Sequence, residues 1–119
     1  MPIEQRDVYL VPPPFNSQLE DHPFIVLSVK EANEYEGTFV CVMITSMAHK
    51  DDYSFLLEDA MFEQPLRKQN CHVRMHLLTL CLRPEITGNR LNKMKLFYFN
   101  ELMKSIGDLI FNYDFSPLQ

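Results

Sequence analysis

Two side chains set two residues apart, Arg74 and His76, carry the clearest chemical potential in this 119-residue chain. In an extended strand residues i and i+2 share a face, so Val73 and Met75 point one way and Arg74 and His76 the other. An arginine fork binds two oxygens of a phosphate at once, and a histidine gains or loses its proton near neutral pH. Together they describe an anion site beside an acid–base group. The competing assignments are ordinary: a surface arginine paired with a carboxylate, and a half-buried histidine bonded to a backbone carbonyl. His22, just before Pro23, is either a second proton-transfer group or a plain loop histidine. Thr45 and Ser46 end a strand and can donate hydroxyl bonds to a phosphate, although such residues also close turns. Arg67 and Lys68 form a basic pair in a connection. Phe15, isolated in a polar loop, suits stacking on a base, whereas the other aromatics fall at core positions. His49 and His72 join no such pattern. A four-histidine zinc site is rejected, because the spacings are irregular and no cysteine assists.

The composition bounds what these groups can serve. A hydrophobic fraction of 46% with nine Phe and seven Met supplies one globular core and excludes a disordered chain. No apolar run approaches the roughly 20 residues of a membrane helix, and the N-terminus lacks a secretory signal's basic-then-apolar design. Three cysteines (Cys41, Cys71, Cys81) in apolar surroundings, with no CxxC spacing, read as reduced core thiols of a cytoplasmic protein. Neither a metal nor a cofactor is implied. The net charge of -5 conceals a division. Residues 1–63 hold three Lys/Arg against twelve Asp/Glu, while residues 64–104 hold eight against two. That asymmetry suggests one face for an anion and another for something cationic, with a solvated surface of clustered charges as the alternative.

Five strands and a helix must position these residues. Asp7 to Val11 is β-prone and stops at Pro12-Pro13-Pro14, which cannot feed a ladder. Phe24 to Val29 is an almost unbroken apolar run typical of a strand buried on both faces. Glu31 to Glu36 forms a short helical turn before Gly37. Thr38 to Ser46, Tyr53 to Leu57 and Cys71 to Leu80 are three more strands, rich in β-branched or alternating residues. Pro84 to Asn89 reads as a turn region. From about Phe97 to Tyr113 apolar residues recur every three or four positions, which predicts one amphipathic helix with Asn100 or a nearby residue as its cap. The expected fold is α+β and mainly β, a small SH3-like partly closed barrel with a C-terminal helix, spanning residues 1–119 as a single domain.

In this order the segments resemble the MazF/PemK family of toxin endoribonucleases. Arg6-Asp7-Val8-Tyr9-Leu10-Val11-Pro12 is similar to the family's opening strand. Asp21-His22-Pro23-Phe24-Ile25-Val26-Leu27-Ser28 resembles its R-P-hydrophobic-hydrophobic-V-L-S. Met43-Ile44-Thr45-Ser46 matches the third strand's ending in T-S, and Pro65-Leu66 followed by Val73-Arg74 resembles P-L-K-K-x-S-x-V-R. The likeness covers almost the whole chain.

The resemblance implies a homodimer that cleaves single-stranded RNA without a metal ion and is neutralised by an antitoxin protein covering the RNA groove. It also implies roles: Arg74 holding charge on the phosphorane, His76 and His22 moving protons, Thr45 and Ser46 donating hydroxyl bonds, and Arg67, Lys68 and Phe15 binding RNA. Two departures stand against this. His22 replaces the arginine of R-P, and His76 replaces the aspartate of V-R-x-D. They leave open a catalytically idle relative that binds RNA or protein, or a purely structural interaction domain.

Overall fold

The computed structural model describes residues 2–16, 18–47, 49–114 and 116. Its elements run β1 (Asp7–Val11), β2 (His22–Val26), α1 (Lys30–Glu36), β3 (Thr38–Thr45), β4 (Ser54–Leu56), β5 (His72–Leu82), β6 (Thr87–Lys93) and α2 (Leu96–Ile106). The strands form one antiparallel sheet in the order β4-β5-β3-β2-β1-β6. Its outer strands, β4 and β6, do not pair with each other, so the sheet does not close on itself. The expected α+β fold, mainly β with a C-terminal helix, is the one observed.

Alternation along the strands builds two cores, one on each face. Ile25 of β2 packs with Val8, Val42, Ile44, Val73 and Met75, and α2 seals this face with Phe99, Leu102 and Ile106. Phe24 and Val26, pointing the other way, pack with Tyr9, Val11, Phe39, Cys41, Met43 and Cys81. Removing each such large side chain from water is worth about 1.5–3 kcal/mol, and burial on both faces explains the unbroken apolar run of β2. All three cysteines are buried free thiols, and the sulfurs of Cys41 and Cys81 lie 3.5 Å apart. Asn33 of α1 ties the N-terminal segment down by donating to the Ile3 carbonyl at 2.8 Å. Gly37, at φ +70°, ends α1 in the left-handed conformation that favours glycine.

Three expectations need correction. The strands number six, because Thr87–Lys93, partly assigned to a turn region, pairs with β1 through Asp7–Lys93 and Leu10–Thr87. Its sequence, Thr-Gly-Asn-Arg-Leu-Asn-Lys, has no buried residue, so this edge strand carries no apolar alternation to read. The single helix to Tyr113 is instead α2 followed by a π-helical turn over Gly107–Phe111. Lys95, not Asn100, occupies the N-cap of α2, without a side-chain bond.

Candidate functional site

A cavity of about 300 Å³ opens where the ends of β2 and β3 meet the basic connection between β4 and β5. His22, Thr45, Ser46, Arg67 and Lys68 all line it, beside Asp21, Cys71 and Asn92. Five of the eight residues singled out in the sequence therefore line one cavity.

Strand register explains how. β2 and β3 pair Phe24 with Met43, and continuing that register by two residues sets His22 across from Thr45. Thr45 in turn pairs with His72 of β5, and His72 with Leu56 of β4. Directly opposed residues project from the same face, so His22, Thr45 and His72 form one polar rung across three strands. His22 is half-buried, and its Nδ1 lies 2.7 Å from the Glu20 carbonyl oxygen. A carbonyl only accepts, so Nδ1 carries the hydrogen and Nε2 keeps its lone pair. Thr45 is buried, and its Oγ1 accepts the Met47 N–H at 3.1 Å.

Arg67 and Lys68 come from a loop that polar clasps hold to the sheet. Asn92 of β6 donates to the Gln64 carbonyl at 2.9 Å and accepts the Gln64 N–H at 3.0 Å. Asp59 accepts the Leu66 N–H at 2.9 Å. Across the cavity Thr87 donates to Asp21 at 2.7 Å, which anchors the loop before His22. Among the described residues, no carboxylate pairs with either Arg67 or Lys68.

Other cations are neutralised internally. Arg90 contacts Asp7 and Glu63 at 3.4 and 3.7 Å, and Lys93 contacts Glu4 and Asp7 at 3.5 and 3.4 Å. The acidic and basic halves of the chain thus partly pair with one another through Arg90 and Lys93, while Arg67 and Lys68 face the cavity.

Arg74, His76 and Phe15 do not line this cavity. Arg74 does lie on the face opposite Val73 and Met75, but its fork is already filled. Nη1 and Nη2 donate to the two Asp51 oxygens at 2.9 and 3.1 Å, and Nη1 also donates to the His49 carbonyl and Ser54 Oγ. The guanidinium, followed by the Tyr53 N–H, holds the Asp51 carboxyl below its ordinary range. His76 is exposed, with its ring 5.5 Å from that of Tyr53. Phe15 is 48% exposed in the loop between β1 and β2. Between Val42–Leu78 and Ile44–Val73 the β3–β5 register shifts, and this bulge spans Arg74 and His76.

His72 is the residue that sequence reasoning passed over. It is fully buried, and neither ring nitrogen has a hydrogen-bond partner among the described residues. An unpaired buried polar group costs about 1–3 kcal/mol. Burial first, then the Arg74 and Lys50 charges, push its pKa below the usual histidine range, so the ring is neutral at pH 7. Alternation with Cys71 and Val73 puts it on the face of Arg74, so nothing in the local sequence marks it as buried.

Among the described residues no group of three or more His, Cys, Asp or Glu could hold a metal ion, and no helix is long and apolar enough to cross a membrane.

No curated protein sequence matches the chain. The fold does have solved counterparts. An endoribonuclease in complex with its cognate antitoxin from a mycobacterial species superposes with a TM-score of 0.71 at 12% identity, over 94% of this chain and 98% of that one. A MazE–MazF complex from Deinococcus radiodurans gives 0.70 at 13% identity, over 95% and 100%. MazF alone from the same organism gives 0.69 at 18% identity, over 92% and 97%. Residues 4–102 match the family described as PemK-like, MazF-like toxin of type II toxin-antitoxin system. With that match spanning most of its length, and the same fold beneath it, the chain belongs to the PemK-like, MazF-like toxin family.

Proposed function

We propose that the protein is an endoribonuclease toxin that cleaves single-stranded RNA in the cavity between His22 and the Arg67–Lys68 loop. The observation that carries this reading is the convergence of a histidine whose free nitrogen is fixed as Nε2, two hydroxyl residues, and two cations that pair with no carboxylate among the described residues. Metal-free cleavage by the ribose 2′-OH needs a base, charge stabilisation and an acid. His22 Nε2 takes the 2′ proton, Thr45 and Ser46 donate to the phosphoryl oxygens, and Arg67 and Lys68 offset the charge that builds on the phosphorane. The imidazolium formed at His22 then protonates the departing 5′ oxygen. No cofactor takes part.

Arg74 and His76 stand outside this reaction centre. With its fork filled by Asp51, Arg74 anchors the segment that follows Ser46, and His76 and Tyr53 offer a ring surface for RNA beyond the cavity. Phe15 adds an exposed ring on another side. The toxin acts in the cytoplasm, where RNA and a reducing environment coincide. Two copies associate, and an antitoxin protein covers the cavity; the solved structures of this fold include complexes with a cognate antitoxin. Val40, Leu80 and Leu82 are exposed apolar residues on the paired strands β3 and β5, which suits such an interface.

Induced expression in a bacterial host, with RNA extracted and end-mapped, tests the proposal. Growth arrest and cleaved RNA with wild type, both abolished by Thr45→Val, support it. Salt-sensitive RNA binding without cleavage by wild type would instead assign the idle, RNA-binding alternative that the His22 and His76 departures leave open.

A further inference from the structure

We propose that His72 is a positioning residue, whose imidazole N–H occupies a lone pair of Thr45 Oγ1 when RNA fills the cavity and so turns the Thr45 hydroxyl proton toward the phosphate. The inference rests on the cavity being the reaction site, but uses a residue that neither the family's motifs nor the cavity lining contains.

Two independent observations lead there. The first is that both nitrogens of a fully buried ring lack partners among the described residues. A neutral imidazole has one N–H to give and one lone pair to fill, and buried polar groups in folded proteins are seldom left so. The second is the register. Thr45 and Leu56 flank His72 directly on either side, and of these two only Thr45 has a polar side chain. Cβ atoms of directly opposed residues lie about 4.5–5.5 Å apart, so side-chain rotation alone brings the hydroxyl and the ring together.

The consequence follows from counting lone pairs. A hydroxyl oxygen has two acceptor sites and one hydrogen. Thr45 Oγ1 already accepts the Met47 N–H. Once His72 fills the other site, the hydrogen can only point away from both donors. A hydroxyl locked as a donor stabilises a phosphorane oxygen without reorienting during the reaction. The ring need not exchange protons with the substrate to do this.

Steady-state cleavage of a fluorogenic single-stranded RNA of mixed sequence tests the assignment in Thr45→Val, His72→Leu, His72→Gln and the Thr45→Val/His72→Leu pair. We expect His72→Leu to lower kcat about tenfold, the effect of one lost orienting hydrogen bond, with KM within about twofold. His72→Gln keeps an N–H and should recover most of the rate. In the double variant the His72 change should cost nothing beyond Thr45→Val, since the two act as one unit. A wild-type kcat for His72→Leu, or additive losses, overturns the role of His72 while leaving the cavity reading intact. A fully active Thr45→Val overturns both. Should His72→Leu fail to fold, NMR of the wild type with a DNA oligonucleotide, which lacks the 2′-OH, decides the matter. A slowly exchanging His72 ring N–H that appears on binding and is absent in Thr45→Val supports the proposal, and no new signal overturns it.

Discussion

Arg74 and Asp51 meet through two parallel hydrogen bonds, Nη1 to Oδ1 at 2.9 Å and Nη2 to Oδ2 at 3.1 Å. The guanidinium that the sequence offers to a phosphate is already satisfied by a carboxylate of its own chain. The pair ties the segment after Ser46 to β5, and its pH dependence has a definite sign. A carboxylate whose folded pKa is depressed stabilises the fold above its ordinary pKa, and that stability is lost as pH falls through the depressed value. Thermal melts of wild type and Asp51→Asn should therefore differ at pH 7 and converge in acid, below the ordinary carboxylate range. Equal separation across that whole range would mean that the charge on Asp51 contributes nothing.

His72 acts on the same acid side of the pH profile, but at a higher pH. Its folded pKa is lowered, chiefly by burial, so the unfolded chain takes up a proton near the ordinary value of about 6.5 that the folded protein resists. Stability should hold above that pH and decline as pH falls below it. His72→Phe should remove this decline, whatever it does to absolute stability. The comparison of interest is the slope of melting temperature against pH between 7.5 and 5.

The proposed reaction centre predicts a hierarchy of rates. His22→Ala removes the proposed base and should slow RNA cleavage by about 10²–10⁴-fold. Arg74→Ala, outside the cavity, should cost less than tenfold once the variant is shown to be folded. Initial rates on one RNA at saturating concentration check the order, and a larger loss for Arg74→Ala would move the centre to the outer face of β5.

Salt dependence isolates the loop cations. Each phosphate neutralised on a single strand contributes about 0.7 to the slope of log K against log salt. Replacing Arg67 and Lys68 together by Gln should flatten that slope by about 1.4. Binding titrations of a single-stranded RNA between 50 and 200 mM salt, roughly the range over which such contacts are resolved, measure it.

Much of this arrangement is legible in the chain, unevenly and for physical reasons. The apolar run of β2, the alternation at Val73 and Met75, and the three-to-four spacing of Phe99, Leu102 and Ile106 each record burial against a partner element. His22, Thr45 and Ser46 could be grouped only through the family likeness, because nothing local says that the ends of β2 and β3 adjoin. β6 left no trace, since an edge strand facing water has no hydrophobic period. The bulge opposite Met43, which spans Arg74 and His76, was equally silent. The need that His72 has for a partner depends on which residues flank it across the sheet, a long-range property that no sequence window contains.

The clasp between Asn92 and Gln64 has a dynamic consequence. β6 lies at the margin of the sheet, where opening costs least, and the cationic loop is fastened to it by side-chain and backbone hydrogen bonds and the Arg90–Glu63 ion pair. Asn92→Ala should weaken RNA binding although it removes no charge, and should leave the salt slope as it was. Amide exchange should show residues of β6 and of the loop from Glu63 to Lys68 opening together, ahead of β2 and β3. The grip on RNA and the fraying of a sheet margin would then be one equilibrium, so that whatever pins β6 also arms the toxin.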